Sequence, residues 1–211
     1  MPNWCNNFVE VGHEDPSKIS ELAEALNRGE FCNHVIPVPQ ELKDTVAGSH
    51  SDPVEQAKLK AQTQANIAKY GAGNWYDFCV NRWGTKWDVG GDGQADITDD
   101  GRTMAASFDS AWAPPVGVYE QLVEDGYSVR AYYYESGMQF AGIYDNGCDD
   151  CYQDWGDSQG AKEMLPEDLD EMFCISEDMA QWEEDNREEE ELTEWIKDGV
   201  DQNKKLGLVQ G

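Results

Sequence analysis

The run Tyr127-Ser-Val-Arg-Ala-Tyr-Tyr-Tyr-Glu135, then Ser136-Gly137, then Met138-Gln-Phe-Ala-Gly-Ile-Tyr144 decides the fold class. Two stretches rich in aromatic and β-branched residues flank a Ser-Gly turn, the pattern of an antiparallel hairpin. Working outward, Pro114-Pro115 opens a helix carrying Val118 and Leu122 that stops near Gly126. Before it, Asp99-Asp100-Gly101 forms a hairpin turn into a strand over Met104 to Phe108. At the start of the chain, Trp4 to Gly12 reads as a strand, and Asp15-Pro16 caps a helix whose Ile19, Leu22, Ala23 and Leu26 share one face. Phe31 to Val38 reads as an extended edge closed by Pro37 and Pro39. Residues 41–72 form a polar helical insertion, followed by an Asn74-capped helix with Trp75, Phe78, Cys79 and Trp83 on one face and Gly84 at its end. Antiparallel strands with helices on one face make the class α+β.

Past this hairpin the chain changes character. Up to Ala141 it holds 21 acidic and 10 basic residues, and from Gly142 onward 22 and 5. A short strand at Cys151 to Trp155 and a short helix at Pro166 to Phe173 precede one long helix. That helix has two apolar anchors, Met179 with Trp182 and Leu192 with Trp195 and Ile196, joined by the charged span Glu183 to Glu191. The expected division is a core over 1–145 and an acidic C-terminal extension over 146–211, frayed beyond Asp201.

The net charge of −28, from 43 acids and 15 bases among 211 residues, repels phosphate backbones and anionic membranes. Direct nucleic-acid and membrane partners are therefore not expected. No window approaches eighteen apolar residues, and the opening residues lack the basic and apolar regions of a secretory leader, so the expected location is the cytoplasm. Cys5, Cys32, Cys79, Cys148, Cys151 and Cys174 are too sparse for a disulfide scaffold and read as free, buried thiols.

Five motifs carry a resemblance: Met1-Pro-Asn-Trp-Cys-Asn-Asn7, Val35-Ile-Pro-Val-Pro39, Asn74-Trp-Tyr-Asp-Phe-Cys79 with Asn81-Arg-Trp-Gly-Thr-Lys-Trp87, Phe108-Asp-Ser-Ala-Trp-Ala-Pro-Pro115, and Tyr134-Glu-Ser-Gly-Met-Gln-Phe-Ala-Gly142. Over about the first 145 positions the chain resembles the YubB-type ferredoxin-like family of phage and conjugative-plasmid proteins. The resemblance implies a ferredoxin-like core and a mobile-element setting in a bacterial host cytoplasm. It brings no catalytic residues, because that family is a domain of unknown function.

Cys148-Asp-Asp-Cys151 has the spacing of a zinc pair, but there is one such pair instead of two and no histidine lies close in sequence. Gly90-Gly-Asp-Gly-Gln-Ala-Asp96 resembles a calcium-binding glycine repeat, yet carries Ala95 where the repeat needs Asp. Both read as turns, so no metal or cofactor is expected. His13, His34 and His50 stand in no nucleophile or metalloprotease motif. Asp77, Arg82 and Glu135 are the polar nominees should the core be a small metal-assisted hydrolase or nucleotide-processing enzyme. Trp4, Trp75, Trp83, Trp87, Trp112 and Trp195 read as packing residues.

Glu177 to Asp198 holds eleven acids and two bases. As a helix it carries about one net charge per 3.7 Å, close to the about 3.4 Å spacing of one DNA strand. The expected function is a non-catalytic accessory protein that binds a basic host protein, a nuclease or DNA-binding protein, as a nucleic-acid mimic. Glu177, Asp178, Glu183, Glu184, Asp185, Glu188, Glu189, Glu190, Glu191 and Glu194 are the expected partner-binding residues. The plainer alternative is a structural or interaction module whose acidity serves solubility alone.

Overall fold

A computed structural model describes residues 3–49, 51–91 and 95–205, without side chains at 190–192, 194, 196 and 198–205. The chain divides into two compact units, Met1–Gln153 and Asp154–Gly211.

In the first unit, strand β1 (Trp4–Gly12) is followed by α1 (Pro16–Asn27), and Asp15 caps that helix by accepting from Ser17 N. Then come α2 (Phe31–Val35), α3 (Gln40–Lys43), α4 (Pro53–Tyr70) and α5 (Trp75–Trp83). Strands β2 (Asp96–Ile97) and β3 (Thr103–Ala111) lead through α6 (Val116–Glu124) to β4 (Ser128–Glu135), β5 (Phe140–Asp145) and β6 (Cys148–Gln153). The strands form one six-stranded antiparallel sheet in the order β2-β3-β1-β4-β5-β6. The protein is thus α+β, as the hairpin patterning requires.

Alternation along the strands sends one side of the sheet inward. Val9, Val11, Met104, Ala106, Val129 and Ala131 are buried in one cluster with Ile19, Leu22 and Leu26 of α1 and Val118, Tyr119 and Leu122 of α6. The intervening Glu10, Ser107 and Arg130 are exposed. The polar insertion stays peripheral: α4 buries only Asn66, whose amide donates to Gly73 O at 3.0 Å.

Three local expectations are corrected. Phe31 to Val35 is helical rather than extended, because Asp88, 55 or more positions away, accepts from Cys32 N at 2.7 Å and Asn33 N at 3.1 Å. A carboxylate at these amides caps the first turn, while Phe31 and Cys32 bury completely. The late strand spans Cys148–Gln153 and pairs with β5, so the boundary between units falls after Gln153 instead of near 145. The glycine-rich stretch Gly90 to Asp96, read as a turn, lies partly outside the described residues, at 92–94, and His50 lies outside them as well.

The second unit is helical: α7 (Ser158–Met164), which the sequence reading did not anticipate, α8 (Glu167–Phe173) and α9 (Ile175–Lys205). Cys174 between α8 and α9 takes a left-handed conformation with φ 52°, turning the chain. Among its described residues, Trp155, Ala161, Leu165, Leu169 and Ile175 are the buried apolar ones. Among the described residues no helix is long and apolar enough to cross a membrane.

Candidate functional site

Helix α9 turns one side inward and shows the other to solvent. Ile175, Ser176, Met179, Glu183 and Asn186 are the residues of its first three turns that are buried or half-buried, and they lie along one side. The Trp155 indole N–H meets Met179 Sδ at 3.2 Å. Glu183, one of the expected partner-binding residues, belongs to this inner stripe. Its carboxylate accepts from Ser158 N at 2.8 Å and Ser158 Oγ at 2.7 Å, tying α9 to the first turn of α7.

The remaining described acids sit opposite. Glu177, Asp178, Glu184, Asp185, Glu188 and Glu189 are all exposed, and at 3.6 residues per turn they fall within an arc of about 140°. From Glu177 to Glu189 they extend over about 18 Å, or one carboxylate per about 3 Å. Arg187 pairs with Glu184, and Asp185 accepts from Gln181 at 2.7 Å. The backbone of α9 carries Glu190, Glu191 and Glu194 onward, but their side chains lie outside the described set.

Beside this face an open cleft of about 820 Å³ lies among α7, α8 and α9, lined by Lys162, Glu167, Glu171 and Glu177 among others. Asp170, also in its wall, accepts from Ser176 N at 2.7 Å and from Ser176 Oγ at 2.5 Å. Most of the charge lining this cleft is negative, so it suits a basic side chain better than an anion.

Of the two apolar anchors expected on α9, Met179 turns inward, but the tryptophan of each is exposed. Trp182 and Trp195 are 69% and 73% exposed, and the side chains of Leu192 and Ile196 lie outside the described set. At its position Trp182 stands at the border of the acidic arc.

In the first unit two of the three polar nominees, Asp77 and Glu135, hold local structure. Asp77 N donates to Asn74 Oδ1 at 3.0 Å while the Asn74 amide donates to Asp77 Oδ2 at 2.8 Å, which closes the first turn of α5. Glu135 is buried and accepts from Gly137 N at 2.8 Å and Met138 N at 2.7 Å, fixing the turn between β4 and β5. Arg82 is exposed on α5. The Trp83-to-Trp87 motif is likewise mostly scaffolding. Trp83 Nε1 donates to Ile36 O at 2.9 Å, Gly84 ends α5 with φ 91°, and Thr85 Oγ1 donates to Ala111 O at 3.0 Å.

Of the six tryptophans read as packing residues, only Trp83 is fully buried. Trp75 is half-buried, and Trp4, Trp87 and Trp112 are exposed on the same unit. The thiols also divide. Cys5, Cys32 and Cys79 are buried, and burial pushes Cys5 and Cys79 up to about 12 and Cys32 well above its ordinary value. Cys148, Cys151 and Cys174 are exposed instead. Cys148 and Cys151 lie three apart on β6, which directs them to opposite faces and takes apart the spacing of a zinc pair. Among the described residues no three His, Cys, Asp or Glu are grouped as a metal site.

No known protein family's profile matches this chain, and no curated protein matches it. It is similar to the crystal structure of the protein api92 from Yersinia pseudotuberculosis, of the family DUF1281, with a TM-score of 0.36 and 12% identity, over 73% of this chain and 98% of that one. At that level of likeness, fold and function rest on this chain's own residues.

Proposed function

We propose that the chain is a non-catalytic accessory protein of a phage or plasmid whose acidic helix occupies a basic, nucleic-acid-binding surface of a host protein. One observation carries the reading: six exposed carboxylates share one side of α9, while Ile175, Met179 and Glu183 turn the other way. Carboxylates at that spacing can engage Arg and Lys side chains that otherwise hold phosphates, and their common field speeds encounter at low salt. The adjoining cleft adds Glu167 and Glu171 to the same negative surface.

The body that carries this helix is, in the same proposal, ferredoxin-like. Its support is topological. Strands β3 and β4 run parallel, joined through α6, with β1 between them. Strands β1 and β2 run parallel with β3 between them. Two interlocked split strand–helix–strand units are the ferredoxin-like arrangement, here with α2 to α5 inserted and the β5-β6 hairpin added.

The test is capture from a bacterial lysate with the intact chain and with a variant carrying Glu177→Gln, Asp178→Asn, Glu184→Gln, Asp185→Asn, Glu188→Gln and Glu189→Gln. The expected result is retention of a basic nucleic-acid-binding protein that elutes as salt rises and is displaced by duplex DNA. Equal retention by the neutralised variant, or indifference to DNA, overturns the reading.

A further inference from the structure

A second surface, wholly in the first unit, is built with the opposite chemistry. Trp4, Trp87 and Trp112 are 49%, 39% and 41% exposed. Trp4 and Trp87 lie 6.0 Å apart between ring centroids, and Trp112 meets Tyr76 edge-on at 6.2 Å. Trp112 has φ 72°, a left-handed backbone that costs a bulky residue energy and that recurs where a side chain is held for use. Exposed rings gathered at one place are what a binding surface offers.

Within it stands a cation. Lys86 Nζ lies 4.4 Å from the centre of the Trp87 ring, 5.0 Å from Trp112 and 5.9 Å from Tyr76. The rings hold the ammonium but offer no directional acceptor for its three N–H donors. Among the described residues neither Lys86 nor Lys43 makes an ion pair with a carboxylate, in a protein with 43 acids. Both line one hollow of about 230 Å³ with Val38, Trp75, Trp83 and Trp87. Asp88 also borders it, but its oxygens accept from Cys32 N, Asn33 N and Val89 N.

We propose that this hollow and its aromatic border bind a nucleotide, the base stacking on tryptophan and the phosphate meeting Lys86 and Lys43. The volume lies below the about 300 to 1,000 Å³ of drug-sized sites, so it admits a single planar ring system. Stacking on aromatic rings tolerates any base. Two ammonium groups answer the charge of a phosphomonoester, and lysine binds phosphate as a point charge. The phosphate belongs either to a free mononucleotide or to the end of a strand.

Calorimetric titration of the full chain with adenosine 5′-monophosphate, adenosine and inorganic phosphate tests this. The expected result is monophosphate binding at least tenfold tighter than adenosine or phosphate alone. Lys86→Gln should remove that advantage while leaving adenosine binding unchanged, and Trp87→Ala should weaken both. A short 5′-phosphorylated oligonucleotide distinguishes the sources: tighter binding than the mononucleotide assigns a strand end, weaker binding a free nucleotide. Equal affinity for monophosphate and adenosine, or a Lys86→Gln chain that binds as the parent does, overturns the proposal. Circular dichroism of each variant separates lost binding from lost folding. The acidic helix takes no part, so the neutralised α9 variant should bind the nucleotide at least as well as the parent.

Discussion

The two units carry the same formal charge on very different frames. Met1–Gln153 holds 24 acids and 10 bases, and Asp154–Gly211 holds 19 and 5, a net of −14 in each. The first distributes that charge over 153 residues around a sheet whose inner side is filled by α1, α2, α5 and α6. The second concentrates it on 58 residues, with five buried apolar side chains among those described. In the first unit, burial determines what each residue can do. In the second, charge placement does, because exposed side chains on a helix are ordered only by its periodicity.

The contrast is sharpest between two tryptophans. Trp83 is 3% exposed with its indole N–H satisfied by Ile36 O, whereas Trp182 is exposed on α9. Trp83→Ala should cost about 3–5 kcal/mol in denaturant unfolding, and Trp182→Ala within about 0.5 kcal/mol. Similar losses for both would erase the distinction between a packed and a solvated unit.

A pH titration probes the same difference. Burial raises the Cys5 thiol from an ordinary 9.0 to about 12. The folded chain keeps this proton while the unfolded chain loses it, so the contribution to stability is full below pH 9.0 and falls as pH rises toward about 12. The slope is about 1.4 kcal/mol per pH unit, and Cys5→Ala should remove that share.

The smallest effect lies within the acidic helix. Glu183→Ala deletes both bonds to Ser158 and should cost about 1 kcal/mol. Glu184→Ala, which removes only an exposed pair with Arg187, should change stability by no more than about 0.5 kcal/mol. Thermal melts of the two variants side by side would show whether α9 distinguishes inner from outer acids.

Much of the fold was legible because its signals are local. Asp15-Pro16 starts α1, Asn74 starts α5, Gly84 ends it, and a turn containing Ser136-Gly137, two residues longer than expected, joins β4 to β5. Helix α2 was not legible, since the carboxylate that caps it arrives from Asp88. Helix α7 was missed because its sequence, Ser158 to Met164, has little apolar periodicity, and Glu183 from α9 supplies the acceptor for its Ser158 amide. Of the candidate site, the concentration of acids was visible in the sequence, but the removal of Glu183 from the exposed set was not. The aromatic motifs were visible as well, but three of their tryptophans were assigned to the core. Spacing alone cannot say whether a large ring meets the sheet or the solvent.

Composition and periodicity alone determined the charge, its concentration late in the chain, the α+β class and the helical register that places Glu177, Asp178, Glu184, Asp185, Glu188 and Glu189 together. These are properties of neighbours along the chain, set by 3.6 residues per turn and by strand alternation. Only the tertiary structure decided that Asp88 would cap α2, that Glu183 would turn inward to Ser158, and that Lys86 would stand among Trp87, Trp112 and Tyr76. Those juxtapositions join residues distant in sequence, and they exist because the packed core brings the residues together where a hydrogen bond or a ring face is the nearest partner.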